Sequence, residues 1–273
     1  MFDYLQSKSS IDDIKLFIDF MAEIFNTDGQ GFANFPLHHA ITEKKLEVLK
    51  LLMSTPLLFN YREKGDGQLT SHMSCWFGGP QIVELFCENW REKDIDFNAR
   101  DNFDCTPLHY ACSSSDKEAV KVLLKFANEL GIDFNAKSNR DVTPLMEACE
   151  PICTFPDPEL LVLLFDTGLV DANARRLFDY GEDNGQTALH LLCNNAIEVK
   201  EEDDDEYSGY SCHGDCLGAP VLIETFFEHA DKAGIDLNAR DFQGRTPLHY
   251  ICINRCEVKV LIFLNDTRID VNA

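Results

Sequence analysis

The chain lacks the features that mark membrane, secreted and nucleic-acid-binding proteins. No apolar run approaches the roughly 18–20 residues that span a bilayer. The N-terminal stretch MFDYLQSKSSIDD has no basic segment followed by an apolar one, so we expect no secretory signal. Basic residues are few, since 24 Lys and Arg face 47 Asp and Glu, a net charge of −23. Because phosphate contacts need basic surface, we expect neither a nucleic-acid partner nor a membrane.

Catalytic motifs are missing as well. The sequence contains no GxSxG, GxxxxGK[ST], HExxH or GxGxxG. We therefore expect no enzyme activity, no catalytic residues and no cofactor. The acid excess instead favours a partner protein with a basic surface, or simple solubility.

A seven-residue segment recurs along the chain, and we call it the TPLH segment. It reads TPLHYAC at 106–112, TPLMEAC at 143–149, TALHLLC at 187–193 and TPLHYIC at 246–252, with weaker copies at 35–41 and 69–75. The copies begin 34, 37, 37, 44 and 59 residues apart. A period in the mid-thirties predicts a stack of supersecondary units. Such a stack is typical of binding and not of catalysis.

One unit, residues 98–134, shows the predicted pattern. Asn and Asp favour a turn at its start, Thr106 suits a helix N-cap and Pro107 suits the first helical position. A second helix follows with one apolar face and ends near Gly131. Second helices are predicted in all six units, at Leu46–Met53, Ile82–Trp90, Ala119–Leu130, Glu159–Phe165, Val221–Asp231 and Val258–Leu264.

Residues 241–249, DFQGRTPLH, followed by a helix and Asp270-Val-Asn272-Ala, resemble the ankyrin repeat. The resemblance implies an all-α ankyrin-repeat solenoid of stacked helix-turn-helix units with projecting β-turns or short hairpins. It implies a concave face of turns and first helices that carries binding specificity. The histidine of the TPLH segment is implied to bond backbone in the neighbouring turn, against the alternative of a metal ladder or catalytic base; it recurs as His38, His72, His109, His190 and His249.

The resemblance covers nearly the whole chain. We expect one array over 1–273, with a capping half-repeat at about 1–25 and repeats at about 26–59, 60–97, 98–134, 135–172, 173–237 and 238–271. Asp104 and Asp141 replace the turn glycine and are expected to adopt its left-handed conformation, whereas Ala33 puts the first turn in doubt. Five cysteines, which we call the register cysteines, end copies of the TPLH segment and are expected to fill the core as free thiols: Cys75, Cys112, Cys149, Cys193 and Cys252. Free thiols favour a reducing compartment.

An insertion at about 197–219 interrupts the fifth unit. From Glu198 to Glu206 it carries seven acids and one lysine, so its local charge is −6. Such a block is typical of a solvated loop. The alternative is that its negative charge attracts a basic surface of a partner. Cys212, His213 and Cys216 are weak candidates for zinc, since paired CxxC ligands are lacking.

The expected contact residues lie on the turns and at the exposed ends of first helices. Trp76 and Phe77 are either interface anchors or packing for the second repeat, and Phe103 and Phe242 favour binding. The full expected set is Trp76, Phe77, Asp101, Asn102, Phe103, Asn139, Arg140, Asp183, Asn184, Phe242 and Gln243.

The sequence thus predicts a non-catalytic protein-interaction module, monomeric and cytoplasmic, with the nucleus as an alternative compartment. Its partner is expected to present basic and apolar surface. Two other functions stay open. One is the targeting or substrate-recognition region of a larger protein (ubiquitin-ligase adaptor, kinase, channel or bacterial effector), because Asn272-Ala273 read as the opening of a seventh turn. The other is an acidic inhibitor that masks a basic surface.

Overall fold

A computed structural model of the chain describes residues 35–54, 59, 62, 65–150, 157–177, 184–194, 218–254 and 257–273. Within these residues the regular structure is helical, and a single isolated bridge joins Arg176 to Gln186. The helices come in pairs: α1 Phe35–Thr42 and α2 Leu46–Met53; α3 Thr70–Met73, continued by a π-helical turn Ser74–Gly78, and α4 Pro80–Glu88; α5 Pro107–Ser113 and α6 Lys117–Leu130; α7 Pro144–Cys149 and α8 Pro158–Asp166; α9 Ala188–Asn194 and α10 Gly218–Ala233; α11 Pro247–Ile253 and α12 Glu257–Asn265.

The helix pairs confirm the all-α class and the predicted second helices, with ends shifted by a few residues. The first helices begin where the sequence predicts, because a Thr at the N-cap and Pro at the first position suit a helix start. In α7, for example, the Thr143 hydroxyl accepts a hydrogen bond from the Met146 N–H at 3.4 Å. Gly131 ends α6 with φ +60°. None of the described helices is long and apolar enough to cross a membrane.

Contacts divide the chain into two compact units. Unit 1 comprises residues 1–111 and 118–133, and unit 2 comprises residues 112–117 and 134–273. Each has an apolar core made by its helices. In unit 1 the ring of Phe59 meets that of Phe86 edge-on at 5.9 Å. In unit 2 Phe165 of α8 meets Phe226 of α10 at 5.0 Å. The expected repeat boundaries stay a prediction.

An asparagine ladder links consecutive turns and explains the repeated Asn-Ala-Arg or Asn-Ala-Lys sequence. In unit 2 the Asn173 amide donates to the Gly234 carbonyl at 2.7 Å, and its Oδ1 accepts the Asp236 N–H at 2.8 Å. The same pair of bonds recurs at three further asparagines: Asn98, Asn135 and Asn238. Since each amide satisfies backbone groups at the end of its own expected repeat, directly before the next turn begins, the ladder fixes the spacing of successive turns.

Four of the five register cysteines are buried, as predicted: Cys75, Cys112, Cys149 and Cys193. Burial raises the pKa of the Cys112 and Cys149 thiols, so both stay protonated and apolar. The expectation for Cys252 is wrong, because this residue is exposed. It lies in α11, after which the described chain contains a second helix but no further first helix. The half-repeat at 1–25, Ala33 and nearly all of the 197–219 insertion lie outside the described residues.

Candidate functional site

The turn Asp101–Cys105 of unit 1 is built around a buried carboxylate. Asp101 Oδ1 accepts the N–H groups of Phe103 at 2.8 Å and Cys105 at 2.9 Å. Its Oδ2 accepts the Tyr110 hydroxyl at 2.5 Å, and that hydroxyl accepts a hydrogen bond from the Gln68 amide at 2.9 Å. We call Gln68, Asp101 and Tyr110 the unit-1 network. Only 5% of Asp101 is exposed, so its carboxylate is used inside the turn.

This placement corrects the expectation that Asp101 is a surface contact for a partner. A carboxylate that already accepts three hydrogen bonds and lies inside the turn has little capacity left for an outside ligand. The negative charge that faces solvent at this turn is carried by Asp66 and Asp104, which are both exposed. Asp104 has φ +58° and Asp141 φ +55°, which confirms that both replace the left-handed turn glycine.

Unit 2 contains a matching set, Gln186, Asp241 and Tyr250, which we call the unit-2 network. Asp241 Oδ1 accepts the N–H groups of Gln243 at 2.9 Å and Arg245 at 2.8 Å. Its Oδ2 accepts the Tyr250 hydroxyl at 2.7 Å, and Gln186 donates to that hydroxyl at 2.9 Å. Burial and the bond to Asp241 raise the pKa of Tyr250 to about 12.

An arginine completes the unit-2 network. Arg245 Nε lies 2.8 Å from Asp241 Oδ2, and its guanidinium lies 4.6 Å from the centre of the Tyr250 ring. Burial acts to raise the pKa of Asp241, but the hydrogen bonds from Tyr250 and Arg245 outweigh it and lower that pKa. The carboxylate therefore stays ionised.

Two histidines of the TPLH segments, His72 and His190, form hydrogen bonds with the last carbonyl of each of these turns. His72 Nδ1 accepts the Leu69 N–H at 3.0 Å, and its Nε2 donates to the Cys105 carbonyl at 3.1 Å. In unit 2 His190 bonds the Arg245 carbonyl at 3.1 Å in the same way. Burial lowers the pKa of both rings, which keeps them neutral. The geometry confirms the structural role that the resemblance implies for these two histidines.

Three aromatic rings form a patch on the first-helix side of unit 1: Trp76, Phe77 and Tyr110. The Trp76 ring lies 4.7 Å from that of Tyr110, and Phe77 stacks on Trp76 at 5.1 Å with a 7° angle between the rings. Trp76 and Phe77 lie in the π-helical turn Ser74–Gly78, a rare element that is frequent at functional sites, and Tyr110 lies in α5. Trp76 is half-buried while 39% of Phe77 is exposed. Trp76 thus packs within the unit, and Phe77 offers the free ring.

The remaining expected contact residues divide between packing and exposure. Phe103 is 46% exposed and Phe242 54%. The Phe242 ring packs against Gly185 of the preceding turn. A Cβ at Gly185 would lie only 2.6 Å from this ring, which is too close for a side chain. Asn102 takes the matching place in unit 1 and donates to the Gly65 carbonyl at 2.9 Å. Asn139, Arg140 and Gln243 are exposed and Asn184 is half-buried; Asp183 lies outside the described residues, as do Cys212, His213 and Cys216.

Unit 2 also holds a half-buried acid that sequence reasoning missed. Glu147 takes the place that Tyr110 and Tyr250 take in their TPLH segments. Burial raises its pKa to about 7, against a hydrogen bond from Ser113 that acts to lower it. Beside it Arg176 donates to Glu150 at 3.0 Å and to Gln186 at 2.9 Å. The signal that could have found both networks is a Gln directly before one TPLH segment and a Tyr at the fifth place of the next one.

Comparison with known proteins agrees with this geometry. The family model for ankyrin repeats (3 copies) matches residues 71–155. No curated protein matches the chain. The crystal structure of the ankyrin repeat domain of Bcl-3, described as a unique member of the IkappaB protein family, is similar over 93% of this chain and 95% of that one, with 20% identity and a TM-score of 0.61. The chain therefore has the fold of an ankyrin-repeat solenoid, and residues 71–155 match the ankyrin-repeat family model.

Proposed function

We propose that the chain is a non-catalytic module that binds a partner protein through the turns and first helices of its repeats, which we call the binding face. Ankyrin repeats in general are protein-interaction modules, which supports the class. The observation that carries the proposal is the exposure of large aromatic side chains on this face, at Phe77, Phe103 and Phe242. The fold has no need of solvent-facing aromatics there, whereas interfaces are rich in them.

The chemistry of the face suits a basic and apolar partner surface. Asp66 and Asp104 are exposed beside the aromatic rings of unit 1. Such charges raise the rate of encounter with a basic protein, while buried rings supply most of the affinity. Asn102, Asn139, Arg140, Asn184 and Gln243 complete the proposed contact set as polar groups around the rings. The module acts as a monomer in the cytoplasm or nucleus.

Capture of partners by variant chains tests the proposal. The test variant combines Phe77→Ala, Phe103→Ala and Phe242→Ala. The matched control removes three apolar side chains that are also exposed but belong to the second helices α10 and α12: Val221→Ala, Leu261→Ala and Leu264→Ala. Tagged chains are incubated with lysate, and bound proteins are quantified by mass spectrometry.

We expect proteins that bind the unmodified chain to be lost from the test variant and retained by the control. The melting temperatures of both variants must match that of the parent chain, so that lost binding is not lost folding. Retention of all partners by the test variant, or equal loss from both variants, would show that the binding face lies elsewhere.

A further inference from the structure

The turn Asp241–Arg245 of unit 2 presents an arginine whose hydrogen-bonding capacity is only partly used. Arg245 Nε donates to Asp241 Oδ2 at 2.8 Å, and the guanidinium lies 4.6 Å from the centre of the Tyr250 ring. These contacts occupy one edge and one face of the guanidinium group. Among the described residues, no hydrogen bond uses an Nη nitrogen of Arg245, and 30% of its side chain is exposed. The turn therefore holds an oriented guanidinium with N–H donors left for a ligand.

Two further arginines lie at the same turn. Arg240 is exposed, and its Nη1 donates at 3.0 Å to the carbonyl of Gly244, the residue directly before Arg245. Arg175 Nη1 donates in turn to the Arg240 carbonyl at 2.5 Å. The side chain of Asp241, by contrast, is fully buried. Positive charge therefore dominates what residues 240–245 offer to solvent.

The matching turn of unit 1 shows that the fold does not require this arginine. Cys105 stands there in place of Arg245, and the exposed Asp104 stands in place of Gly244. The backbones still match, because the N–H groups of Cys105 and Arg245 both bond the turn aspartate and their carbonyls both bond a histidine. Since a cysteine serves the turn equally well, the guanidinium of Arg245 is available for recognition.

The chemistry of this turn fits a carboxylate next to apolar groups. A guanidinium bonds a carboxylate through two parallel N–H donors, and such charge-assisted bonds are stronger than neutral ones. Asp241 and Tyr250 already hold Arg245 in one orientation, so little side-chain freedom is lost on binding. Phe242 is 54% exposed in the same turn and offers an apolar surface beside the cations.

We propose that the turn Asp241–Arg245 binds a glutamate or aspartate side chain of the partner protein. The carboxylate bonds the Nη donors of Arg245, Arg240 adds positive charge, and Phe242 packs against apolar groups beside the carboxylate. The proposal rests on the proposed function and deepens it, because it adds one acidic residue to a partner surface that is otherwise basic and apolar.

Titration with two blocked tripeptides tests this site. The probe is acetyl-Leu-Glu-Leu-amide, and acetyl-Leu-Gln-Leu-amide is its neutral twin. NMR follows the Nε–H signal of Arg245 and the ring signals of Phe242. We expect saturable shifts of these signals with the glutamate tripeptide and none with the glutamine tripeptide. The indole signal of Trp90, a ring of unit 1 that carries the Arg91 guanidinium at 4.9 Å, should not move with either.

Substitutions with a matched control sharpen the test. Arg245→Gln removes the guanidinium and should weaken binding of the glutamate tripeptide by about tenfold or more, as expected for the loss of a charge-assisted pair. Arg100→Gln removes the same charge from an exposed arginine of the unit-1 turn and should leave the affinity unchanged. Thermal unfolding checks that each variant folds. If Arg245→Gln does not fold, Arg245→Cys replaces it, because unit 1 forms the same turn with a cysteine.

Several outcomes would overturn the proposal: unmoved Arg245 and Phe242 signals, an equal response to the glutamine tripeptide, a larger response to inorganic phosphate, or equal weakening by Arg245→Gln and Arg100→Gln. The proposed function is separable from it. If a captured partner is lost from the variant with Phe77→Ala, Phe103→Ala and Phe242→Ala but still binds Arg245→Gln with unchanged affinity, the module binds protein and the carboxylate site is wrong.

Discussion

The turn Asp101–Cys105 in unit 1 and the turn Asp241–Arg245 in unit 2 use their first residue in the same way. Each aspartate accepts two backbone N–H groups with Oδ1 and a tyrosine hydroxyl with Oδ2. The second and fifth positions differ, with Asn102 and Cys105 in one turn and Phe242 and Arg245 in the other. The first position therefore specifies the shape of the turn, and the later positions determine what its surface offers to a partner.

Removing the turn carboxylates should cause the largest effect. Asp101→Ala or Asp241→Ala leaves two backbone N–H groups and a tyrosine hydroxyl without their acceptor. We expect each change to lower the free energy of unfolding by about 3 kcal/mol, since one buried unpaired polar group costs about 1–3 kcal/mol. Urea unfolding measures it, with the exposed Asp66→Ala as control. If both changes cost as little as the control, the networks do not specify the turns.

Glu147 stands at the position of the TPLH segment that Tyr110 and Tyr250 occupy in other repeats. It should make the stability of unit 2 depend on pH. Its folded pKa of about 7 exceeds the ordinary value of 4.5, so the folded chain retains a proton that the unfolded chain releases. The contribution of Glu147 is therefore fully present below about pH 4.5 and is lost as pH rises to about 7. From this shift we expect a total loss of about 3 kcal/mol, most of it between pH 5 and pH 8.

Urea unfolding at pH 5 and pH 8 measures this loss. Glu147→Gln is the matched control, because it keeps the size of the side chain and cannot titrate. The difference between parent and variant removes the contributions of other groups. An identical pH dependence in the two chains would contradict the account of Glu147.

A glycine substitution should separate backbone strain from contact with Phe242. Gly185 has φ +64° and Gly131 φ +60°, but a Cβ meets the Phe242 ring only at Gly185. We expect Gly131→Ala to cost about 1 kcal/mol from its left-handed backbone, and Gly185→Ala more. Adding Phe242→Ala should relieve the excess at Gly185, which a double-mutant cycle measures. Equal costs at both glycines would show that the ring moves aside freely.

The smallest expected effects distinguish the two exposed aromatics. Phe242→Ala removes contact with the preceding turn and with the Arg175 guanidinium, 6.0 Å from its ring, and should cost about 0.5–1 kcal/mol. Phe103→Ala should change stability by less than about 0.5 kcal/mol, as is usual for exposed sites. Thermal unfolding compares the two variants. A larger cost for Phe103→Ala would show that this ring is packed and not free for a partner.

Local patterns account for much of the fold. The apolar spacing predicts the second helices, and Thr-Pro predicts the first-helix starts, because both depend on neighbours within one turn of helix. Asp104 and Asp141 were predicted to be left-handed on intrinsic conformational grounds, and the structure confirms it. The bonds of His72 and His190 follow the implication of the family resemblance.

Long-range contacts account for what the sequence did not predict. The inward direction of Asp101 depends on Tyr110 and on Gln68, which belongs to the preceding repeat. The burial of Cys193 and the exposure of Cys252 in the same register depend on which helix lies above each residue. The π-helical turn at Ser74–Gly78 arises where Gly78 and Gly79 interrupt the usual helix end, and a periodic pattern contains no sign of it.

Hydrogen–deuterium exchange on the bound chain tests the central claim most directly, namely that turns and first helices hold the partner. The chain is measured with and without a partner identified by capture. We expect slowed exchange in segments 74–78, 101–106 and 242–246, and no change in the second helices α6 and α8. Slowed exchange in α6 or α8 with none in the turns would contradict the account.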